Sequence, residues 1–277
     1  MESAGLGGAA HLLSFSGTDT LAGLVVARDY YGAARAAGHS IPATEHSTMT
    51  SWGRTGEEAA IRHITHTIPG GLAIVVDSYD IWAALELLGT ELRPGLEARE
   101  GFLVVRPDSG DPAAVLVRVF NILGEKFGWR ENSKGYKELP GWLRVLQGDG
   151  VSHDTLGGIL AAVAGEGWST AGLGFGSGGA LLQRLDRDTQ RCAYKCSWAE
   201  VEGRGREVYK DPVTDPGKRS KAGRLALVRD AGTGKYNTVK EEERGEREDC
   251  LVTVMEDGAL LQDWTWEQVV TRARSQS

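Results

Sequence analysis

Cysteine is scarce in this chain: Cys192, Cys196 and Cys250 are the only three among 277 residues. An odd, sparse set does not build a disulfide framework and fits a reducing compartment. The Cys-x3-Cys pair has no two further ligands nearby, which argues against zinc and leaves ordinary buried thiols as the expectation. Positive charge is also in deficit. With a formal charge of −7 and a pI near 5.5, the chain would be repelled overall by nucleic-acid phosphates, so no nucleic-acid partner is expected. No apolar run approaches the roughly 20 residues that span a bilayer, which excludes a membrane partner of that kind. The opening MESAGLGGAAHLL lacks a basic n-region and a sustained apolar core, so it does not read as a secretory leader. A cytoplasmic protein is expected. The opening is also abrupt: a Gly/Ala-rich stretch runs straight into strand-like His11–Phe15, and further sequence before Met1 is expected.

What is present is an apolar content of 41%, ample for the core of one large domain or two modest ones. Over the first 190 residues, short apolar runs alternate with longer amphipathic segments. The spacing predicts strands at His11–Phe15, Leu72–Val76, Phe102–Arg106, Trp142–Leu146 and Gly172–Phe175, each followed by Gly, Asp or Ser turn chemistry. It predicts helices at Thr20–Tyr31, Glu57–His66, Ile81–Leu88, Pro112–Phe127 and Asp154–Ala164. In Pro112–Phe127 the residues Val115, Val119, Ile122 and Leu123 share one face, and Asp111 before Pro112 supplies an N-cap and an N1 proline. This repetition argues for a parallel α/β arrangement of barrel type over residues 1–190. From about Arg191 the pattern changes to short strands at Cys192–Val201, Arg206–Tyr209, Leu225–Arg229 and Leu251–Met255. A charged loop at Lys240–Asp249 and a terminal helix at Trp264–Arg274 complete a mainly antiparallel region, 191–277.

Five chemically loaded loops fall at strand ends, where ligands of parallel α/β folds gather. The first is Ser40–Trp52, SIPATEHSTMTSW, a Pro-broken loop carrying His46, which can change charge near neutral pH or act as a nucleophile. A lone histidine is more often a structural hydrogen-bonder. VVDSYD, VVRPDSGDP and LQGDGV set Asp77, Arg106 with Asp108, and Asp149 at three successive strand ends. Arginine suits phosphate, and aspartate holds ribose hydroxyls or hydrated magnesium. Helix caps, and an Arg106–Asp108 ion pair with Asp108 capping the next helix, are the structural alternatives. GFGSGGALL offers glycines through which backbone N–H groups can approach an anion ahead of a helix; a tight packed turn fits the spacing equally well. It is neither a P-loop nor a Rossmann fingerprint. Asp19 either caps the helix near Thr20 or accepts a hydrogen bond from a ligand amide. The basic stretch of Lys195, Lys210, Lys218, Arg219 and Lys221 reads as a solvated face or as countercharge for pyrophosphate.

The stretches FSGTDTLAG, SIPATEHSTMTSWG, DSYDIW, VVRPDSGDP, ENSKGYKELP, LRVLQGDGV, GFGSGGALLQRLDRDTQRC and KDPVTDPGKRSKAGRL together resemble the nicotinamide phosphoribosyltransferase family, from about Glu2 to the C-terminal helix. The resemblance implies an incomplete type II phosphoribosyltransferase-like α/β barrel followed by a mainly antiparallel β region. It also implies formation of nicotinamide mononucleotide and pyrophosphate from nicotinamide and phosphoribosyl pyrophosphate, with Mg2+ accompanying the phosphates. ATP is implied as co-substrate, through a phosphorylated histidine. His46 matches that histidine, and Asp19 the aspartate that meets the nicotinamide carboxamide. Arg106, Asp77 and Asp108 match residues around the base, ribose and histidine; Gly148, Asp149, Gly178 and Gly179 match the ribose-phosphate cradle. Arg187 and Lys195 match phosphate contacts, and Lys210 and Lys218 the basic loop near pyrophosphate or ATP. A homodimer with its site at the interface is implied too. Two departures stand out. Ala180 replaces a common third glycine. The family chain also runs on at its N-terminus, where it carries the aromatic residues that sandwich the nicotinamide ring. Two alternatives are a non-catalytic relative acting as a dimerisation or regulatory partner, and a nicotinate-using enzyme.

Overall fold

Strands and helices alternate through residues 2–184 as the apolar patterning requires. The computed structural model describes residues 2–184, 193–214 and 216–275. Two units divide the chain, Met1–Leu185 with Val270–Ser277, and Asp186–Val269.

The first unit runs α1 (Glu2–His11), α2 (Leu21–Tyr31), α3 (His46–Thr50), α4 (Glu57–Thr67), β1 (Leu72–Val75), α5 (Ile81–Gly89), α6 (Arg93–Glu97), β2 (Leu103–Arg106) and α7 (Pro112–Phe127). It continues with a small hairpin, β3 (Arg130–Glu131) and β4 (Lys137–Glu138), then β5 (Leu143–Gln147), α8 (His153–Gly165), β6 (Leu173–Phe175) and α9 (Gly179–Leu182). The main sheet is parallel, in the order β1–β2–β5–β6. Ahead of β1, Ala43 bridges Ala73 in parallel, and Gly17 bridges His39 in the same sense. Spatial order thus follows chain order, with at least one helix in every crossover between successive strand segments. That is the singly wound sequence of a barrel, whereas a doubly wound sheet reverses its order partway. α1 lies against both α2 and α9, which brings the helix that opens the unit together with the one after β6. Strands in such a sheet are covered on both faces, and accordingly all of β1 and Leu103, Val104 and Val105 of β2 are buried.

The predicted strand at His11–Phe15 is not formed: α1 runs to His11 and a turn follows. Glycine is costly inside a helix, by about 1 kcal/mol against alanine, which is why this stretch does not read as helical. Here the glycines serve a close helix crossing. A Cβ on Gly23 of α2 would lie 2.8 Å from the Gly8 carbonyl carbon, and one on Gly5 2.7 Å from Val26 Cγ2. In α7 the capping expectation holds, with Asp111 accepting from the Ala114 N–H at 2.8 Å. The fully buried stripe is Leu116, Val119, Phe120 and Leu123, while Val115 and Ile122 pack at its margin.

Among its described residues the second unit holds three antiparallel hairpins: β7 (Trp198–Val201) with β8 (Arg204–Glu207), β9 (Leu225–Arg229) with β10 (Tyr236–Lys240), and β11 (Met255–Glu256) with β12 (Ala259–Leu260). Two of them turn through two residues with positive φ, Glu202–Gly203 and Asp257–Gly258, as tight hairpins demand. α10 (Trp266–Ser275) begins in this unit and ends among residues grouped with the first. Three strand expectations shift. The expected strand at Cys192–Val201 is β7 alone, Cys192 lying outside the described residues. Arg206–Tyr209 becomes Arg204–Glu207, and of Leu251–Met255 only Met255 enters a strand. Leu251, Val252 and Val254 are exposed, so their β propensity has no packed face to act on. Cys196 and Cys250 are exposed free thiols, contrary to the buried ones expected. Among the described residues no helix is long and apolar enough to cross a membrane.

Candidate active site

The loops after β1 and β2 repeat one four-residue pattern, Asp-Ser-x-Asp, as Asp77–Asp80 and Asp108–Asp111. In each, the fourth residue is the helix cap: Asp80 accepts from the Trp82 and Ala83 N–H groups, and Asp111 from Ala114. Capping therefore falls to Asp80 and Asp111, and Asp77 and Asp108 are left for the site. The two first aspartates are tied together. Asp77 Oδ2 accepts the Asp108 backbone N–H at 2.9 Å and the Ser109 hydroxyl.

His46 is delivered to the same place from the other side. The buried Thr44 accepts the Val75 N–H on its Oγ1 at 2.9 Å, pinning the segment beside β1. The chain then turns into α3, of which His46 is the first residue, so the expected loop is in part a short helix. His46 Nε2 lies 3.1 Å from Asp77 Oδ1, and Nδ1 lies 3.7 Å from Asp108 Oδ2. A carboxylate only accepts, so Nε2 donates to Asp77, while Nδ1 faces the Asp108 carboxylate at the longer distance. The Asp77 side chain is 4% exposed while that of His46 is 42% exposed. The imidazole is thus oriented from below and reachable from above.

Arg106, at the end of β2, forms a two-pronged pair with Glu45, Nη1 to Oε1 at 3.3 Å and Nη2 to Oε2 at 3.2 Å. It also pairs with Asp108 at 3.8 Å. Burial pushes the Asp108 carboxyl above its ordinary value; Arg106 and His46 oppose the shift, and Asp77 and Asp149 add to it. A raised carboxyl lends stability that is complete below its unfolded value and is lost as pH rises through its folded value. At neutral pH the charged side chain is therefore a net cost. Asp108→Asn is expected to raise stability at pH 7 by less than ~1 kcal/mol, the nearby cations offsetting part of the desolvation. The gain should vanish below pH 3.8 in thermal melts, while activity falls.

β5 and β6 complete the cluster. A Cβ on Gly148 would lie 1.9 Å from Asp108 Oδ1, so only glycine lets β5 end against that carboxylate. Gln147 is fully buried, and its Nε2 donates to the Asp149 carbonyl at 2.8 Å, shaping the turn that leaves Asp149 exposed. The Gly176 N–H donates to the Gln147 carbonyl at 2.8 Å and the Ser177 hydroxyl to the Val151 carbonyl at 3.1 Å, drawing the glycine loop onto the β5 turn. Gly178 and Gly179 follow, opening α9. That helix has four residues, too short to add a sizeable macrodipole. Any anion cradle there rests on backbone N–H groups at the helix start, which have no intrahelical partner.

His46, Asp77, Arg106, Asp108, Gly148 and Asp149 are thus gathered at the carboxyl ends of β1, β2 and β5, with Gly178 and Gly179 past β6. Asp19 follows the isolated parallel bridge at Gly17; it accepts from the Ser40 hydroxyl and caps no helix. Lys195, Lys210 and Lys218 belong to the second unit, and Arg187 lies outside the described residues. Glu45, Ser109 and Gln147 were not singled out from the sequence. The doubled Asp-Ser-x-Asp was the available signal for Ser109, and nothing in the sequence marked the other two.

The first unit is thus a singly wound parallel α/β arrangement whose strand ends collect a carboxylate-oriented histidine, an arginine fork and glycine turns. The chain belongs to the nicotinate phosphoribosyltransferase (NAPRTase) family, whose sequence profile matches residues 1–250. It is similar to a protein named nicotinamide phosphoribosyltransferase from Xanthomonas campestris pv. campestris, 49% identical over 281 residues that cover 99% of this chain and 60% of that protein. A protein of the same name from Acinetobacter baylyi is 32% identical, over 97% of this chain and 57% of its own length. Another, from Mycoplasma pneumoniae, is 33% identical over 78% of this chain and 49% of its own. The chain spans 60% or less of the length of these curated relatives.

Proposed function

We propose that the chain acts in nicotinamide phosphoribosyl transfer, joining nicotinamide to the ribosyl C1′ of phosphoribosyl pyrophosphate and releasing pyrophosphate in NAD salvage. The observation that carries this reading is His46, oriented by Asp77 beside the Arg106 fork, at strand ends that also bear Gly148 and Asp149. In the first step Nδ1 of His46 attacks the terminal phosphoryl group of ATP: the N–P bond forms, the bond to the ADP oxygen breaks, and the proton stays on Nε2 against Asp77. Water later takes the phosphoryl group from His46. In the second step the pyridine nitrogen displaces pyrophosphate at C1′, through charge build-up that needs positioned ribose and neutralised phosphates. Asp149 and the glycine turns are assigned to ribose and its phosphate, and Arg106 to a phosphate oxygen pair. Asp19 accepts from the nicotinamide carboxamide and repels the carboxylate of nicotinate.

Magnesium enters with the substrates in this reading. Among the described residues no group of three or more His, Cys, Asp or Glu side chains is placed to hold a metal. Mg2+ commonly keeps several waters and arrives on phosphates, with one or two carboxylates added. A cytoplasmic homodimer is part of the same reading.

The family's description names nicotinate and the relatives' names nicotinamide, so substrate competition is the test. With phosphoribosyl pyrophosphate, ATP and Mg2+, equal nicotinamide and nicotinate are expected to give nicotinamide mononucleotide in at least ~10-fold excess by mass spectrometry, since a missing polar partner costs that much or more. Excess nicotinate mononucleotide would replace the amide assignment with the acid one. No mononucleotide of either kind would leave the non-catalytic reading.

A further inference from the structure

An arginine can grip a phosphate bidentately through its Nη1/Nη2 end or through its Nε/Nη2 side. In Arg106 the Nε atom is buried with no hydrogen-bond partner, so the side approach is closed to an incoming ligand. The Nη1/Nη2 end remains, and Glu45 occupies it with both carboxylate oxygens. The two partners are unequally anchored. The Glu45 side chain is 64% exposed, against 14% for Arg106, and Arg106 is also held by Asp108 on the site side. Glu45 can swing into water; the guanidinium cannot follow it.

Building on the phosphoribosyl-transfer reading, we infer that Glu45 is a displaceable counter-anion whose carboxylate holds the phosphate place on Arg106. Ligand entry at this arginine is then an exchange of carboxylate for phosphate. The exchange keeps a mostly buried cation in a two-pronged pair in the resting site, where Asp108 alone reaches it only at 3.8 Å. It also makes Glu45 a positioning residue for Arg106 that sets anion affinity without touching the reacting atoms. Its place directly before His46 means that release of its side chain occurs at the first turn of α3, where its own N–H donates to Thr48 Oγ1 at 3.3 Å.

The test is calorimetric titration of inorganic pyrophosphate with Mg2+ into the full chain at fixed ionic strength, comparing wild type, Glu45→Gln, Arg106→Lys and the double variant. Glu45→Gln is expected to bind roughly fivefold tighter, the factor for a surface pair near the top of its usual range. Lysine lacks the fork, so in the Arg106→Lys background the same substitution should change affinity less than twofold, a double-mutant-cycle signature of direct exchange. Equal or weaker binding by Glu45→Gln would overturn the inference, as would a fivefold gain that persists in the Arg106→Lys background, which marks a general charge effect. No pyrophosphate binding by any folded form would overturn the phosphoribosyl-transfer reading, and this inference with it.

Discussion

Alanine at position 46 is expected to abolish the acid-labile phosphate that the wild-type chain takes from ATP, and to cut ATP hydrolysis by at least ~10³-fold, the scale on which removing a covalent nucleophile acts. The expectation rests on the isolation of this imidazole. Ser47 and Thr48 stand next to it in the sequence, yet the hydrogen bond to Asp77 is made by His46. Retained 32P after acid and base treatment of the two proteins measures the difference. Stability should fall by about 1–2 kcal/mol, because the ring is half-exposed and outside the core but gives up its hydrogen bond to the buried Asp77 carboxylate. Loss of phosphate capture in a protein that still melts cooperatively with a shift of that size would therefore report chemistry. Equal labelling of His46→Ala and wild type would place the phosphate on another residue.

Gly148→Ala is the second large effect, and it is selective. The new methyl group would lie 1.9 Å from Asp108 Oδ1 and 2.9 Å from its Cγ. A carboxylate tip is the cheapest thing nearby to move, so the clash is relieved by turning Asp108 away from His46 and Arg106. The expected outcome is a stability loss of about 1 kcal/mol, within the usual range for single substitutions. Displacing a positioned group by an ångström can cost on the order of 10²-fold, and a turnover loss of that size is expected. Paired melting curves and turnover assays check it. Joint substitution with Asp108→Asn should add little further loss, since both changes act on the same side chain.

The parallel core was legible because its strands are apolar runs bounded by Asp and Gly. Leu72–Val75 and Leu103–Arg106 fall within one residue of their expected limits, and the α7 helix begins and ends where Asp111, Pro112 and Gly128 indicate. α1 was not legible, because a Gly/Ala stretch is a poor helix former whose packing against Gly23 depends on the tertiary crossing. The tail was read less well: two-residue strands such as β11 carry too few side chains for a period-2 pattern. For the site, residue type and strand-end position singled out His46, Asp77, Arg106 and Asp108 as candidates, and the fold brings the four together. Asp111 was readable as the α7 cap from the proline after it, whereas spacing could not tell which of Asp77 and Asp80 caps α5 and which faces the histidine. The Glu45–Arg106 fork joins residues 61 apart in the chain, a pairing that no local pattern encodes.

The orientation of His46 is the hinge on which the proposed chemistry turns, and 31P NMR of the chain after incubation with ATP and Mg2+ tests it most directly. With Nε2–H held by Asp77, a single phosphohistidine resonance assigned to the Nδ1 isomer is expected, absent from His46→Ala. A resonance from the Nε2 isomer, or from a phosphoserine or phosphothreonine of α3, would contradict it.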